Sequence, residues 1–313
     1  MLTGKWAASW SVPLIVLLAI AAGATALPGQ SGASAPVPEI PVIDKSWPVV
    51  NLNVVLFNKQ GFVQAVDEHQ FRLFEDGVER PLQFRGSPDS PVSLALIIDS
   101  SGSIYKRKPS IVSAVTAIVK ALPPDSEVMA VLFADESYLD LPFTPVSKVD
   151  FSFLDRLQAR GGTRLYDTVV ATENYFAAHA KYVRRAMVIL SDGEDNASHV
   201  SRGVTFWTME QAGAPVVYAC PPSRSNMFQT QASMGLINMS FLAKEGGGLD
   251  INLDPDPAAA AAEVAAAIRS QTAVQFTAAD PARDGKKHKL ELRLRDKNLE
   301  VRAIPEYFAP AKQ

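Results

Sequence analysis

The chain is short of cysteine, histidine and clustered positive charge, and each shortage removes a class of function. One cysteine stands among 313 residues, so no intrachain disulfide can form and no cysteine-rich metal site can exist. Cys220 closes the apolar run Val216-Val217-Tyr218-Ala219-Cys220, where a buried strand thiol is the plain expectation. The histidines (His69, His179, His199 and His288) are scattered and each is expected at the surface. Lysine and arginine total 30 against 33 acidic residues, a net charge of −3. No basic block stands out, so a nucleic-acid partner has no electrostatic support. A Gly-x-Ser-x-Gly elbow, which a serine hydrolase of the α/β type needs, is missing as well.

Hydrophobic residues are plentiful at 47%, with 20% charged, a balance that supports an ordinary globular core. The N-terminus departs from it. Lys5 is the only charge in the first 26 residues, an apolar run spans Val12 to Ala22, and Ala24-Thr25-Ala26 supplies small residues. That order is the pattern of a secretory signal, so residues 1–26 are expected to be a signal peptide and the protein to be exported, periplasmic or extracellular. Retained, the stretch approaches membrane-spanning length, which is the one route to a membrane contact. Residues 27–46 are rich in Pro, Gly, Ser and Ala and read as a linker.

From residue 47 the hydrophobic rhythm divides the chain into three. Residues 47–90 alternate, with Leu52, Val54 and Leu56 on one face; a second hairpin is expected from Phe71-Arg72-Leu73-Phe74, through Asp76-Gly77, to Pro81-Leu82-Gln83-Phe84. Residues 91–272 change to continuous apolar runs (Leu94 to Ile98, Val128 to Phe133, Ala186 to Leu190, Val216 to Cys220) separated by helical periods such as Ile111, Val115, Ile118 and Leu122. Such alternation implies an α/β fold with a mostly parallel sheet covered on both faces. A last helix is expected to start at Asp256-Pro257, a capping residue followed by proline. Residues 273–313 alternate again, with Leu290, Leu292 and Leu294, a turn at Asp296-Lys297-Asn298, and a return through Leu299, Val301 and Ala303. Neither flanking β segment can hold a core alone, so the two are expected to pair into one small β-sandwich with the α/β domain inserted between them.

The chemistry is concentrated at strand ends. Ligands of open α/β sheets bind where strands deliver their loops at the carboxyl edge. The first buried strand ends in Asp99-Ser100-Ser101-Gly102-Ser103 and the third in Ser191-Asp192-Gly193, while Gly161-Gly162-Thr163 precedes a helix. Asp99, Ser101, Ser103, Thr163 and Asp192 offer two carboxylates and three hydroxyls. These are hard oxygen donors, suited to Mg²⁺ and unlike the nitrogen and sulfur that zinc prefers. Any one loop alone would read as a helix cap; the convergence makes the site. Asp167 is expected to bond loop backbone or cap its helix, and Glu194 and Asp195 to be solvated loop residues.

These pieces resemble a von Willebrand factor type A domain with a metal-ion-dependent adhesion site. The match lies in Leu96-Ile97-Ile98-Asp99-Ser100-Ser101-Gly102-Ser103, in Gly161-Gly162-Thr163-Arg164-Leu165-Tyr166-Asp167, and in Ile189-Leu190-Ser191-Asp192-Gly193-Glu194-Asp195-Asn196. The flanks, Phe71 to Gly77 and Val301 to Phe308, resemble a bacterial group described as acidobacterial-type, although Ile304-Pro305-Glu306-Tyr307-Phe308 departs from that group's usual Arg-Pro-Gly-Tyr-Tyr. The resemblance implies a Rossmann-like, doubly wound sheet. It also implies Ser101 and Ser103 as direct ligands, Thr163 as a state-dependent one, and Asp99 and Asp192 acting through water. The implied cofactor is Mg²⁺, with Ca²⁺ or Mn²⁺ as alternatives. The implied partner is a protein offering an Asp or Glu to the open coordination position. On this reading the protein is a binding module and not an enzyme; the alternatives are a Mg²⁺-dependent hydrolase and a scaffold with a non-functional metal site.

Overall fold

The computed structural model describes residues 46–63, 68–158, 160–222 and 230–311, all within one compact unit, Ser34–Gln313. The expected signal peptide, and the linker except its last residue, lie outside the described residues.

The middle of the chain builds the central layer. It runs β6 (Ser93–Asp99), α1 (Lys108–Lys120), β7 (Glu127–Phe133), β8 (Ser137–Pro145), α2 (Leu165–His179), β9 (Arg185–Leu190), α3 (Arg202–Met209), β10 (Val216–Ala219), α4 (Thr230–Glu245), β11 (Leu249–Asp250) and α5 (Pro257–Ser270). The strands form one sheet in the order β11-β10-β9-β6-β7-β8. Every neighbouring pair is parallel except β7 with β8, which closes the edge antiparallel. From Leu94 to Ile98 strand β6 is apolar without interruption, as a strand covered on both faces must be. Leu94, Leu96 and Ile98 pack with Ile111, Val115 and Ile118 of α1 and Val264 and Ile268 of α5. Ala95 and Ile97 face Leu165, Val169 and Phe176 of α2, Met209 of α3, and Met239 and Leu242 of α4. Leu94, Leu96, Ile97 and Ile98 are wholly buried, each contributing about 2 kcal/mol.

Helix α5 starts where its cap predicts: the Asp256 carboxylate accepts the Ala258 and Ala259 N–H groups, with Pro257 at the first position. Its alanines divide between two faces, with Ala258, Ala259 and Ala262 exposed. Ala260, Ala261, Ala265 and Ala267 are buried, and their small side chains let α5 lie close against the layer. Cys220 is a buried free thiol, as its apolar run implies.

The described segments on either side of the central layer pair with each other. Ahead of the central layer lie β1 (Val49–Asn58), β2 (Gly61–Phe62), β3 (Phe71–Glu75), β4 (Val78–Arg80) and β5 (Gln83–Gly86); after it come β12 (Thr272–Thr277), β13 (Lys287–Leu294), β14 (Glu300–Arg302) and β15 (Glu306–Phe308). Strand β1 pairs antiparallel with both β12 and β14, and β3 with β13. Two sheets result, β14-β1-β12-β5 with β2 beside β1, and β15-β13-β3-β4. They share a core of Trp47, Val50, Leu52, Val54, Leu56, Leu73, Val274, Phe276, Leu290 and Tyr307. Buried Glu75 joins three strands of the second sheet, accepting the Tyr307 hydroxyl of β15 at 2.6 Å and bonding the Arg80 guanidinium of β4 at 2.8 Å, and it also accepts the Ala279 N–H just past β12 at 2.9 Å.

The hairpins expected at Phe71–Phe84 and at Leu290–Ala303 are both corrected. Phe71–Glu75 turns back on Val78–Arg80, and Gln83–Gly86 leaves for the other sheet to pair with β12. Likewise β14 does not return along β13 but pairs with β1. Pro81 lacks the N–H that would continue the β3–β4 ladder, which frees the chain to cross.

Candidate metal centre

The buried strands of the central layer set the site by where they stop. Strand β6 ends at Asp99, which is fully buried. Its Oδ1 accepts the Ser101 N–H at 2.7 Å, folding the loop back on itself, and the Ser101 and Ser103 hydroxyl oxygens come to 3.0 Å of each other. Ser101 is buried and Ser103 exposed, so the hydroxyl pair leads from the interior to the surface.

Three loops converge here and are pairwise tied. The Gly102 N–H donates to the Gly161 carbonyl at 3.3 Å and Arg160 N–H to the Ser100 carbonyl at 3.0 Å, joining the first loop to the second. The Ser191 hydroxyl donates to Asp99 Oδ2 at 2.6 Å, joining the first to the third. The Thr163 N–H donates to Asn196 Oδ1 at 2.8 Å and the Asn196 N–H returns to the Thr163 carbonyl at 3.1 Å, joining the second to the third. Thr163 is thereby held buried at 2% exposure. Asp192 follows β9, half-buried, with Oδ1 accepting the Glu194 N–H at 3.2 Å.

The electrostatics favour a cation. Burial pushes the Asp99 carboxyl up from its usual 3.8 to about 6; hydrogen bonds from Ser101 and Ser191 oppose this, and the Asp192 charge adds to it. A positive ion beside the two carboxylates would favour their charged forms and reverse that penalty. Among the described residues no group of three or more His, Cys, Asp or Glu could hold a metal ion. A cation here would have to draw on the serine and threonine hydroxyls beside the two carboxylates, a set of hard oxygen donors of the kind that divalent ions such as Mg²⁺ accept.

Several residues that hold the site carry no signal in strand or helix periodicity. Asp135, just past β7, accepts the Gly162 N–H at 2.7 Å. Gly161 takes φ +87° against the Asp135 carboxylate, where a Cβ would collide. Asn238 of α4, itself buried, donates to the Gly193 carbonyl at 2.9 Å. Asp195 is not a solvated loop residue: it accepts the Tyr166 N–H at 2.9 Å and the Ser198 hydroxyl at 2.6 Å, pinning the start of α2. Asp167 binds loop backbone as expected, accepting the His199 and Val200 N–H groups, both at 2.9 Å. The His199 side chain is 74% exposed, with Nδ1 at 3.1 Å from Asp167.

Residues 94–194 match the family model described as von Willebrand factor type A domain. The chain contains a type A domain. All five candidate ligands fall within the matched stretch. Comparison with curated proteins finds no match. Among solved structures, a von Willebrand factor type A protein from Catenulispora acidiphila is similar at 11% identity, covering 85% of this chain and 75% of that one, with a TM-score of 0.49. An aerotolerance-related membrane protein from Bacteroides fragilis is similar at 17% identity over 56% of this chain and 98% of that one, with a TM-score of 0.41. The PilB minor pilin from Streptococcus sanguinis is similar at 12% identity over 57% of this chain and 61% of that one, with a TM-score of 0.44. Among the described residues no helix is long and apolar enough to cross a membrane.

Proposed function

We propose that the type A domain is a metal-dependent protein-binding module. Ser101, Ser103 and Thr163 would hold Mg²⁺, or Ca²⁺ or Mn²⁺ in its place, with Asp99 and Asp192 anchoring the loops behind them. The pairwise tying of three loops around two carboxylates and three hydroxyls carries this reading. The ion, when bound, supplies an electrophilic position that an Asp or Glu of a partner can fill. The protein's own part is to keep that position open. Asp99 spends one oxygen on the Ser101 N–H and the other on the Ser191 hydroxyl, so the site contributes neutral hydroxyls where a carboxylate would quench the charge. Binding, not catalysis, is the proposed role.

In this reading the central layer is a doubly wound, Rossmann-like scaffold, whose strand ends carry the site in the manner of open α/β sheets. The partner is a protein presenting an acidic side chain. The proposed setting is the periplasm or the cell exterior, with membrane attachment only through a retained N-terminal segment; the apolar run and small residues before position 27 support it.

Affinity capture of envelope proteins on the immobilised protein tests the proposal, comparing Mg²⁺ with EDTA and wild type with Ser101→Ala. Wild type in Mg²⁺ is expected to retain proteins that EDTA releases and that Ser101→Ala never holds. Retention indifferent to both changes would contradict it.

A further inference from the structure

Thr163 follows two glycines, and a backbone that free does not present a side chain reliably without outside support. The support comes from two side chains of other loops. Asp135 Oδ1 takes the Gly162 N–H at 2.7 Å and Asn196 Oδ1 takes the Thr163 N–H at 2.8 Å. They close on Gly162 from both: a Cβ there would stand 2.9 Å from each of these oxygens. Thr163 is held at its carbonyl as well as its N–H, because the Asn196 and Ala197 N–H groups both donate to the Thr163 carbonyl at 3.1 Å. Asn196 is itself exposed while Thr163 is buried, so apolar packing does not account for the asparagine.

We infer that Asn196 is the positioning residue for Thr163: its side-chain carbonyl, together with the Asn196 and Ala197 amides, sets where the threonine hydroxyl stands. The inference rests on the cation site proposed above. It has a consequence for movement at that site. Thr163 cannot shift alone; the segment from Asp195 to Val200, stitched to Tyr166 and Asp167 by further hydrogen bonds, must travel with it.

The test is a Mn²⁺ titration followed by electron paramagnetic resonance, Mn²⁺ sharing the oxygen preference of Mg²⁺. Asn196→Ala is expected to weaken Mn²⁺ binding about 10-fold, the low end for loss of a residue that orients a ligand, while the melting temperature in EDTA stays near wild type. Because Asn196 acts through Thr163, Asn196→Ala should cost nothing further in a Thr163→Ala background. Asn196→Asp keeps the acceptor in place and is expected to restore binding; Asn196→Glu carries the same charge one methylene out of register and is not. Wild-type affinity in Asn196→Ala, or fully additive losses in the double variant, would overturn the inference and leave the cation site standing. A folded wild type that takes up no Mn²⁺ would overturn both.

Discussion

Gly193→Ala is expected to destabilise the protein by about 4 kcal/mol or more, in the range where single substitutions unfold domains. Gly193 sits at φ +79°, a region that costs an L side chain about 1–2 kcal/mol. The larger cost is contact. A Cβ at Gly193 would fall inside the Gly235 carbonyl of α4 and against Met239, and one at Gly235 would fall inside the Asp192 carbonyl. Two glycines thus let the loop carrying Asp192 lie backbone to backbone on a helix, with Asn238 fastening it. Neither backbone can yield without moving Met239 and Leu242 out of the core they share with β6. Chemical denaturation in EDTA measures the loss directly, and Gly235→Ala should be damaging for the same reason. Loss below about 1 kcal/mol in both, the scale of an ordinary glycine replacement, would mean the seam is loose.

A second large effect concerns Glu173, in the middle of α2. Its side chain is buried, its Oε1 has no hydrogen-bond partner, and burial pushes its pKa from 4.5 to about 8, with Arg185 pulling the other way. It borders a cavity of about 40 Å³ lined also by Arg185, Thr208 and Gly213. The raised value fixes the sign of the pH dependence. Below pH 4.5 the carboxyl is protonated folded and unfolded alike, and stability is undiminished. Between 4.5 and about 8 the unfolded chain releases the proton while the folded one keeps it, so stability falls as pH rises. Glu173→Gln stays neutral throughout. It is expected to remove that share of the decline and to be more stable than wild type at pH 8 by on the order of 3 kcal/mol. Thermal or urea unfolding in EDTA across pH 5 to 8 would show the two curves diverging; parallel curves would contradict the buried neutral acid. Asp99, whose raised value acts in the same direction, is present in both proteins and drops out of the difference.

Glu173 also shows where sequence reading succeeds and where it stops. The helical period through Leu165, Val169, Thr172 and Phe176 marks α2 in the sequence, but a buried carboxyl at position 173 with an unpartnered Oε1 is not legible in it, because that depends on what β9 brings opposite. The central strands were plain from composition, since Leu94 to Ile98 can only be covered on both faces. So was the start of α5, where Asp256 and Pro257 act locally. Helix α3 escaped notice: it is short, and Val204 and Trp207 on it are exposed, which breaks the apolar period. The pairings of β5 with β12 and β14 with β1 are long-range, and alternation fixes a strand's faces without naming its neighbour. At the site, the three loops announced themselves by residue type at strand ends. Asp135, Asn196 and Asn238 did not, because each works by accepting or donating to a backbone far away in sequence.

The central claim is that these oxygens hold a hard divalent ion, and calorimetric titration of the folded protein with Mg²⁺ tests it most directly. The account predicts saturable uptake at a single site in wild type, accompanied by a rise in melting temperature with Mg²⁺ concentration, and neither in Asp99→Ala. Wild type that remains folded in millimolar Mg²⁺ with no saturable heat and no thermal shift would contradict it.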